Sequence, residues 1–184
     1  MAAKDHGQGV GGGSGVETAS LAFVVADDHP MVRDALAAAL KGAFPDAKIG
    51  FAGTLSETQS AIDAAPETDL VVLDLDMPGM LGLAGLSALR AQHPSLPIAI
   101  VSATTNSAAM RQAIEMGAAG FIPKLAAADR FLDAVRMILA GAVALPDEAR
   151  GMACAAAWVL RCGRRTAKRR GRDPDATLTN HQLF

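Results

Sequence analysis

Three aspartates, a serine and a lysine stand at comparable places in this sequence, each at the end of a short apolar run. Asp27-Asp28 follows Leu21–Ala26, Asp74 lies near the end of Leu70–Leu75, Ser102 closes Pro97–Ser102, and Lys124 follows Gly120–Pro123. Three carboxylates brought within a few Å repel one another unless a cation is held among them, and hard oxygen donors favour Mg²⁺. A hydroxyl donor and an ammonium added to that cluster complete a phosphoryl site, with a nucleophile, a divalent cation, and donors around three equatorial oxygens. Singly, each residue has a plainer role. A strand-end Asp or Ser usually caps the next helix, and a lone Lys is usually a solvated end. Convergence of three acids reverses that preference, so the elements that position them decide the matter.

Five apolar runs recur along the chain: Leu21–Ala26, Lys48–Ala52, Leu70–Leu75, Pro97–Ser102 and Gly120–Pro123. Runs of this length without strict alternation suit strands buried on both faces of a parallel sheet. Helical stretches separate them. Pro30 opens Met31–Phe44, Thr54 or Ser56 caps a helix to Ala65, and Leu83–Gln92, Ser107–Met116 and Ala127–Ala140 follow, with Gly117 and Gly141 as stops. The pattern predicts an α/β fold, a flavodoxin-like (βα)₅ unit whose right-handed crossovers give a doubly wound sheet of strand order 2-1-3-4-5. Ligands in such sheets bind beyond the C-terminal strand ends, at the switch point between the first and third strands. That rule brings Asp27, Asp28 and Asp74 together.

The chain has 184 residues, enough for one domain and tails. Residues 1–20 include six glycines and little to bury, which predicts a flexible tail; 21–141 form the packed unit, and 142–184 a linker region. Hydrophobic residues make up 51% and aromatic residues 4%, so the core must be aliphatic. Net charge is −2 although seven basic residues gather between Arg161 and Arg172, leaving the remainder distinctly acidic. Cys154 and Cys162 fit no metal spacing and would lie roughly 12 Å apart on one helix, which indicates a reducing, cytoplasmic setting. No run reaches the roughly 20 apolar residues that span a bilayer, so a soluble protein is expected.

The segments Val25-Ala26-Asp27-Asp28-His29-Pro30, Val71-Val72-Leu73-Asp74-Leu75-Asp76-Met77-Pro78-Gly79 and Gly120-Phe121-Ile122-Pro123-Lys124 strongly resemble the receiver domains of bacterial two-component response regulators, particularly those of the LuxR/NarL type. The resemblance covers about Leu21 to Gly141. It implies that Asp74 takes a phosphoryl group from a phosphohistidine of a sensor histidine kinase. Asp28 would bind Mg²⁺ directly, Asp27 would assist through water, and Asp74 and the Asp76 carbonyl would be further ligands. Ser102 and Lys124 would each hold a phosphoryl oxygen, Ala103 would leave room for the group, and Asp76 and Thr104 would tune its hydrolysis. Ser102 and Phe121 stand where the family's switch residues lie, though a plain core Phe is an equal reading of Phe121. Such a domain is no enzyme beyond self-phosphorylation from small donors and self-dephosphorylation. Phosphorylation is expected to favour a homodimer through the face of the fourth helix, fifth strand and fifth helix. Two departures stand out: Leu81 replaces an acid often found after the Pro-Gly turn, and Leu125 follows the lysine where many receivers have Pro.

Beyond Gly141, Met152–Leu160 reads as an apolar linker helix, Arg161–Arg172 as a basic stretch, and Leu178–Phe184 resembles the first residues of a LuxR-type helix-turn-helix. DNA is therefore expected to be contacted only through an output domain absent from this chain, and no membrane is expected as partner. The basic stretch alone would attract phosphates weakly and without sequence preference. Two other readings remain. A haloacid-dehalogenase-type phosphatase also carries Asp-x-Asp after a strand and later Ser and Lys, but there Gly-Thr follows where Met77-Pro78 stands here. A receiver-like module working by contact without phosphorylation is the second.

Overall fold

A computed structural model describes residues 20–104 and 106–146. Strands β1 (Ala22–Ala26), β2 (Lys48–Ala52), β3 (Leu70–Asp74), β4 (Ile98–Ser102) and β5 (Gly120–Pro123) alternate with helices α1 (Pro30–Ala43), α2 (Leu55–Ala64), α3 (Leu83–Gln92), α4 (Ser107–Glu115) and α5 (Ala128–Leu139). All pairings are parallel, in the order β2-β1-β3-β4-β5, as the apolar runs predict. Observed and expected element ends differ by about one residue.

The lack of strict alternation in the runs has its reason in the two layers of helices. Phe23 and Val25 of β1 join Val72, Ala99 and Val101 under α1 and α5, with Leu40, Phe131 and Val135 above them. Val24 and Ala26 point the other way, into a cluster with Leu73, Ile100 and Phe121 that is closed by Ile62 of α2, Leu86 and Leu89 of α3, and Met110 of α4. Every residue of β1, β3 and β4 is buried, so each position must be apolar until the strand ends. Of the two proposed caps for α2 it is Thr54 that serves, its Oγ1 accepting from Glu57 N at 3.1 Å. Asn106 caps α4 by accepting from Ala108 N at 2.9 Å.

The chain turns at Gly141, whose φ of 89° favours glycine, and returns to the sheet. Phe121 N donates to Ala144 O at 2.9 Å, Ala144 N donates to Ala119 O at 3.1 Å, and Ala144 is buried. The packed unit thus runs past Gly141, and residues 142–146 shield the open edge of β5. The approach is close: a Cβ on Gly120 would meet Ala144 O at 2.8 Å. The expected tail, Met152–Leu160, Cys154, Cys162, Arg161–Arg172 and Leu178–Phe184 lie outside the described residues. Among the described residues no helix is long and apolar enough to cross a membrane.

Gly120→Ala is expected to lower unfolding stability by about 1–3 kcal/mol through overpacking against Ala144. Urea denaturation measures it, and a change within error would show that this edge yields freely.

Candidate functional site

Register alone places the site. Ala26 pairs with Leu73, so the residues following them, Asp27 and Asp74, emerge side by side at the switch point. Asp74 pairs with Val101, which puts Ser102 one step beyond on β4. Ser102 pairs with Pro123, and Lys124 N donates to Ser102 O at 2.9 Å, which puts Lys124 at the same edge.

The acids converge. Ligand atoms of Asp27, Asp28, His29 and Asp74 all lie within 4.8 Å of one another. Asp27 and Asp74 are buried, while Asp28 and His29 face solvent. The Lys124 ammonium enters this group, donating to Asp74 Oδ2 at 2.8 Å and lying 2.9 Å from Asp27 Oδ2. The second contact is an ion pair without hydrogen-bond alignment, so the buried Asp27 Oδ2 has no directed hydrogen bond. Burial alone would push the Lys124 ammonium down, but its contacts with Asp74 and Asp27 and their charges outweigh this and hold it above its ordinary 10.5.

The remaining bonds orient the set. Asp74 Oδ1 accepts from Asp76 N at 3.2 Å, and Asp27 Oδ1 accepts from His29 N at 2.9 Å. Ser102 Oγ accepts from Thr104 N at 3.2 Å, which fixes the hydroxyl at the end of β4. Phe121 is buried one strand position before Ile122 on the opposite face, in the cluster that includes Met110. Ala103 is exposed, and Thr104 is half-buried.

A buried carboxylate oxygen without directed hydrogen bonds, among hard oxygen donors, suits a small hard cation. Sequence reasoning left two neighbours without a role. His29 Nδ1 lies 2.6 Å from Asp28 Oδ1, and Arg33 Nη1 donates to Asp27 O at 2.7 Å. For His29 the signal was its adjacency to the acid pair; for Arg33 it was its place one helical turn beyond His29.

Both departures lie in the segments that follow site strands, Leu81 after β3 and Leu125 after β5. Met80 turns fully inward in the loop after β3, and Leu81 beside it takes φ 48°, a left-handed conformation uncommon for a side chain of its size. Leu81 is 89% exposed, and Leu125, beside Lys124, is 97% exposed.

The family model described as "Response regulator receiver domain" matches residues 23–136. The chain belongs to the response regulator receiver family. Over 126 residues this receiver is 39% identical to the "Glycerol metabolism activator" of Pseudomonas putida, covering 68% of this chain and 57% of that protein. It is 37% identical over 122 residues to the "Transcriptional activator protein ExaE" of Pseudomonas putida, covering 66% of this chain and 56% of that protein. The receiver thus spans little more than half the length of these relatives. A solved LuxR family DNA-binding response regulator from Silicibacter pomeroyi superposes with a TM-score of 0.61 at 31% identity, over 70% of this chain and 98% of that one. The protein is a receiver domain of a two-component response regulator, related to the LuxR/NarL type.

The raised Lys124 value fixes a sign. A group whose folded value exceeds its unfolded one stabilises fully below the unfolded value and loses that contribution as pH rises through the folded one. The stability difference between the wild-type receiver and Lys124→Met should therefore hold below pH 10.5 and shrink above it. Urea unfolding at pH 8 and at pH 11 tests this, and a difference that grew with pH would contradict it.

Proposed function

We propose that Asp74 accepts a phosphoryl group from a phosphohistidine of a sensor histidine kinase. One Asp74 oxygen attacks phosphorus, the P–N bond breaks, its electron pair leaves with the imidazole, and an aspartyl phosphate remains. The observation that carries the reading is the placement of buried Asp74 against both the acid pair and the Lys124 ammonium. Lys124, already at Asp74 Oδ2, would pair with one phosphoryl oxygen, and the Ser102 hydroxyl would donate to another. Asp28, Asp74 and the Asp76 carbonyl would hold Mg²⁺ directly, with Asp27 assisting through water. Bound there, the ion supplies positive charge to the transferring oxygens. Ala103 leaves room beside the site, and the positions of Asp76 and Thr104 suit control of hydrolysis.

Three exposed large apolar side chains lie in the segments that follow the site strands. Met31 in the first turn of α1 is 85% exposed, and Leu81 and Leu125 stand out from the loops after β3 and β5. Such exposed groups favour docking of a partner protein that presents the phosphohistidine, the sensor kinase. No turnover of an outside substrate is proposed, so the domain acts as phosphoacceptor and not as enzyme.

The readout is proposed for the face of α4, β5 and α5. Phe121 lies beneath it in one cluster with Met110, and a groove of about 390 Å³ lined by Phe121, Pro123, Ala134, Met137 and Leu145 opens beside it. Ser102 drawn towards a phosphoryl group would bias Phe121 between two packings, and a homodimer on that face would follow. This would control transcription from the cytoplasm. The domain limits proposed with this reading are 1–20 for a tail, 21–141 for the receiver and 142–184 for a linker region.

Asp74→Asn should abolish phosphoryl uptake from a small phosphodonor with Mg²⁺, read as intact mass. Uptake by the variant at the wild-type rate would refute Asp74 as acceptor. Full-strength partner binding by a wild-type chain that takes up no phosphoryl group would favour the contact-only module. A phosphoryl mimic should raise the sedimentation coefficient and shift amide signals of β5 and α5; no change in either would remove the proposed output face.

A further inference from the structure

We infer that Arg33 is a positioning residue for the acid pair, fixing the peptide plane between Asp27 and Asp28 and so the mutual aim of their carboxylates towards a divalent cation. The inference rests on reading the acid cluster as a Mg²⁺ site.

Arg33 lies on α1, outside the cluster, with its guanidinium turned back over the loop. Its Nη1 donates to the Asp27 carbonyl oxygen at 2.7 Å. That oxygen belongs to the planar peptide unit whose nitrogen is Asp28 N, so holding it fixes two backbone rotations, ψ of Asp27 and φ of Asp28. The Asp27 side of the unit is already tied by Asp27 N donating to Ala52 O at 3.1 Å, and His29 N closes on Asp27 Oδ1. Without Arg33 the carbonyl between Asp27 and Asp28 would lose its side-chain donor. A charge-assisted bond of this length is among the stronger kinds available.

The guanidinium is seated from the other side by Gly53. A Cβ there would lie 3.1 Å from Arg33 Nη1 and 3.5 Å from Glu57 Oε2, while Gly53 N donates to Glu57 Oε2 at 2.7 Å. The turn after β2 therefore leaves a slot that the planar fork fills, and a methyl group would require the guanidinium to give by a few tenths of an ångström. Gly53 is not in the left-handed region, so Ala can adopt its backbone conformation.

The sign of the effect separates positioning from simple charge. A guanidinium near a cation site repels the cation, so its removal should tighten binding if Coulomb forces alone mattered. Positioning predicts the reverse. Partners that orient metal ligands weaken affinity when lost, on the order of tenfold.

Isothermal titration with magnesium chloride on the full chain tests this, with circular dichroism melts as a folding check. Arg33→Ala is expected to raise the Mg²⁺ dissociation constant on the order of tenfold, while phosphoryl uptake at saturating Mg²⁺ reaches the wild-type extent. Gly53→Ala, which retains the charge but displaces the fork, should shift the constant in the same direction by a smaller factor. Unchanged or tighter Mg²⁺ binding in folded Arg33→Ala, beside normal binding by wild type, would overturn the positioning role alone. Failure of the wild-type chain to bind Mg²⁺ would overturn the metal reading itself and this inference with it.

Discussion

One ammonium between two buried carboxylates is the interaction on which the site depends. Lys124 reaches Asp27 and Asp74 from the far side of the sheet, so a single charge joins the ends of β1, β3 and β5. Two acids buried at adjacent strand ends would repel strongly without it. The contact sets one positive charge beside both buried carboxylates. Asp74 Oδ1 accepts from Asp76 N, and Asp28 stands beside the pair with its ligand atom within 4.8 Å of theirs.

Rigidity and accessibility are divided between strands and loops. The strands carry the reacting groups out of a core in which both faces are fully packed, so their relative positions follow from backbone register. The segments that follow those strands carry Met31, Leu81 and Leu125, apolar groups with nothing to cover them within the described residues. Met80 buried and Leu81 expelled form one local arrangement, and the left-handed backbone at Leu81 is its cost. Strain of this kind gathers where function needs a side chain outside.

The same division bears on the proposed output face. Phe121 belongs to the core by burial, yet it stands three residues before Lys124 on a strand whose outer edge is covered only by residues 142–146. A small pull on Ser102 or Lys124 acts on β4 and β5 directly, because Lys124 N is bonded to Ser102 O. Packed interiors shift between discrete arrangements more readily than they deform smoothly.

The sequence by itself determined the element order, the sheet and the five polar positions at the strand ends, because burial on both faces forces continuous apolar runs and polar groups can appear only where those runs stop. Asp27, Asp28, Asp74, Ser102 and Lys124 were legible for that reason, and each sits at the strand end its run predicts. What tertiary structure decided is everything that depends on side-chain reach across turns. Lys124 choosing Asp27 as well as Asp74, His29 folding onto Asp28, Arg33 returning to the Asp27 carbonyl through a slot left by Gly53, and Ala144 closing the β5 edge join residues far apart in sequence or around a turn. Periodicity records which face a residue takes; it holds no record of how far a long side chain bends back or of which backbone group it meets.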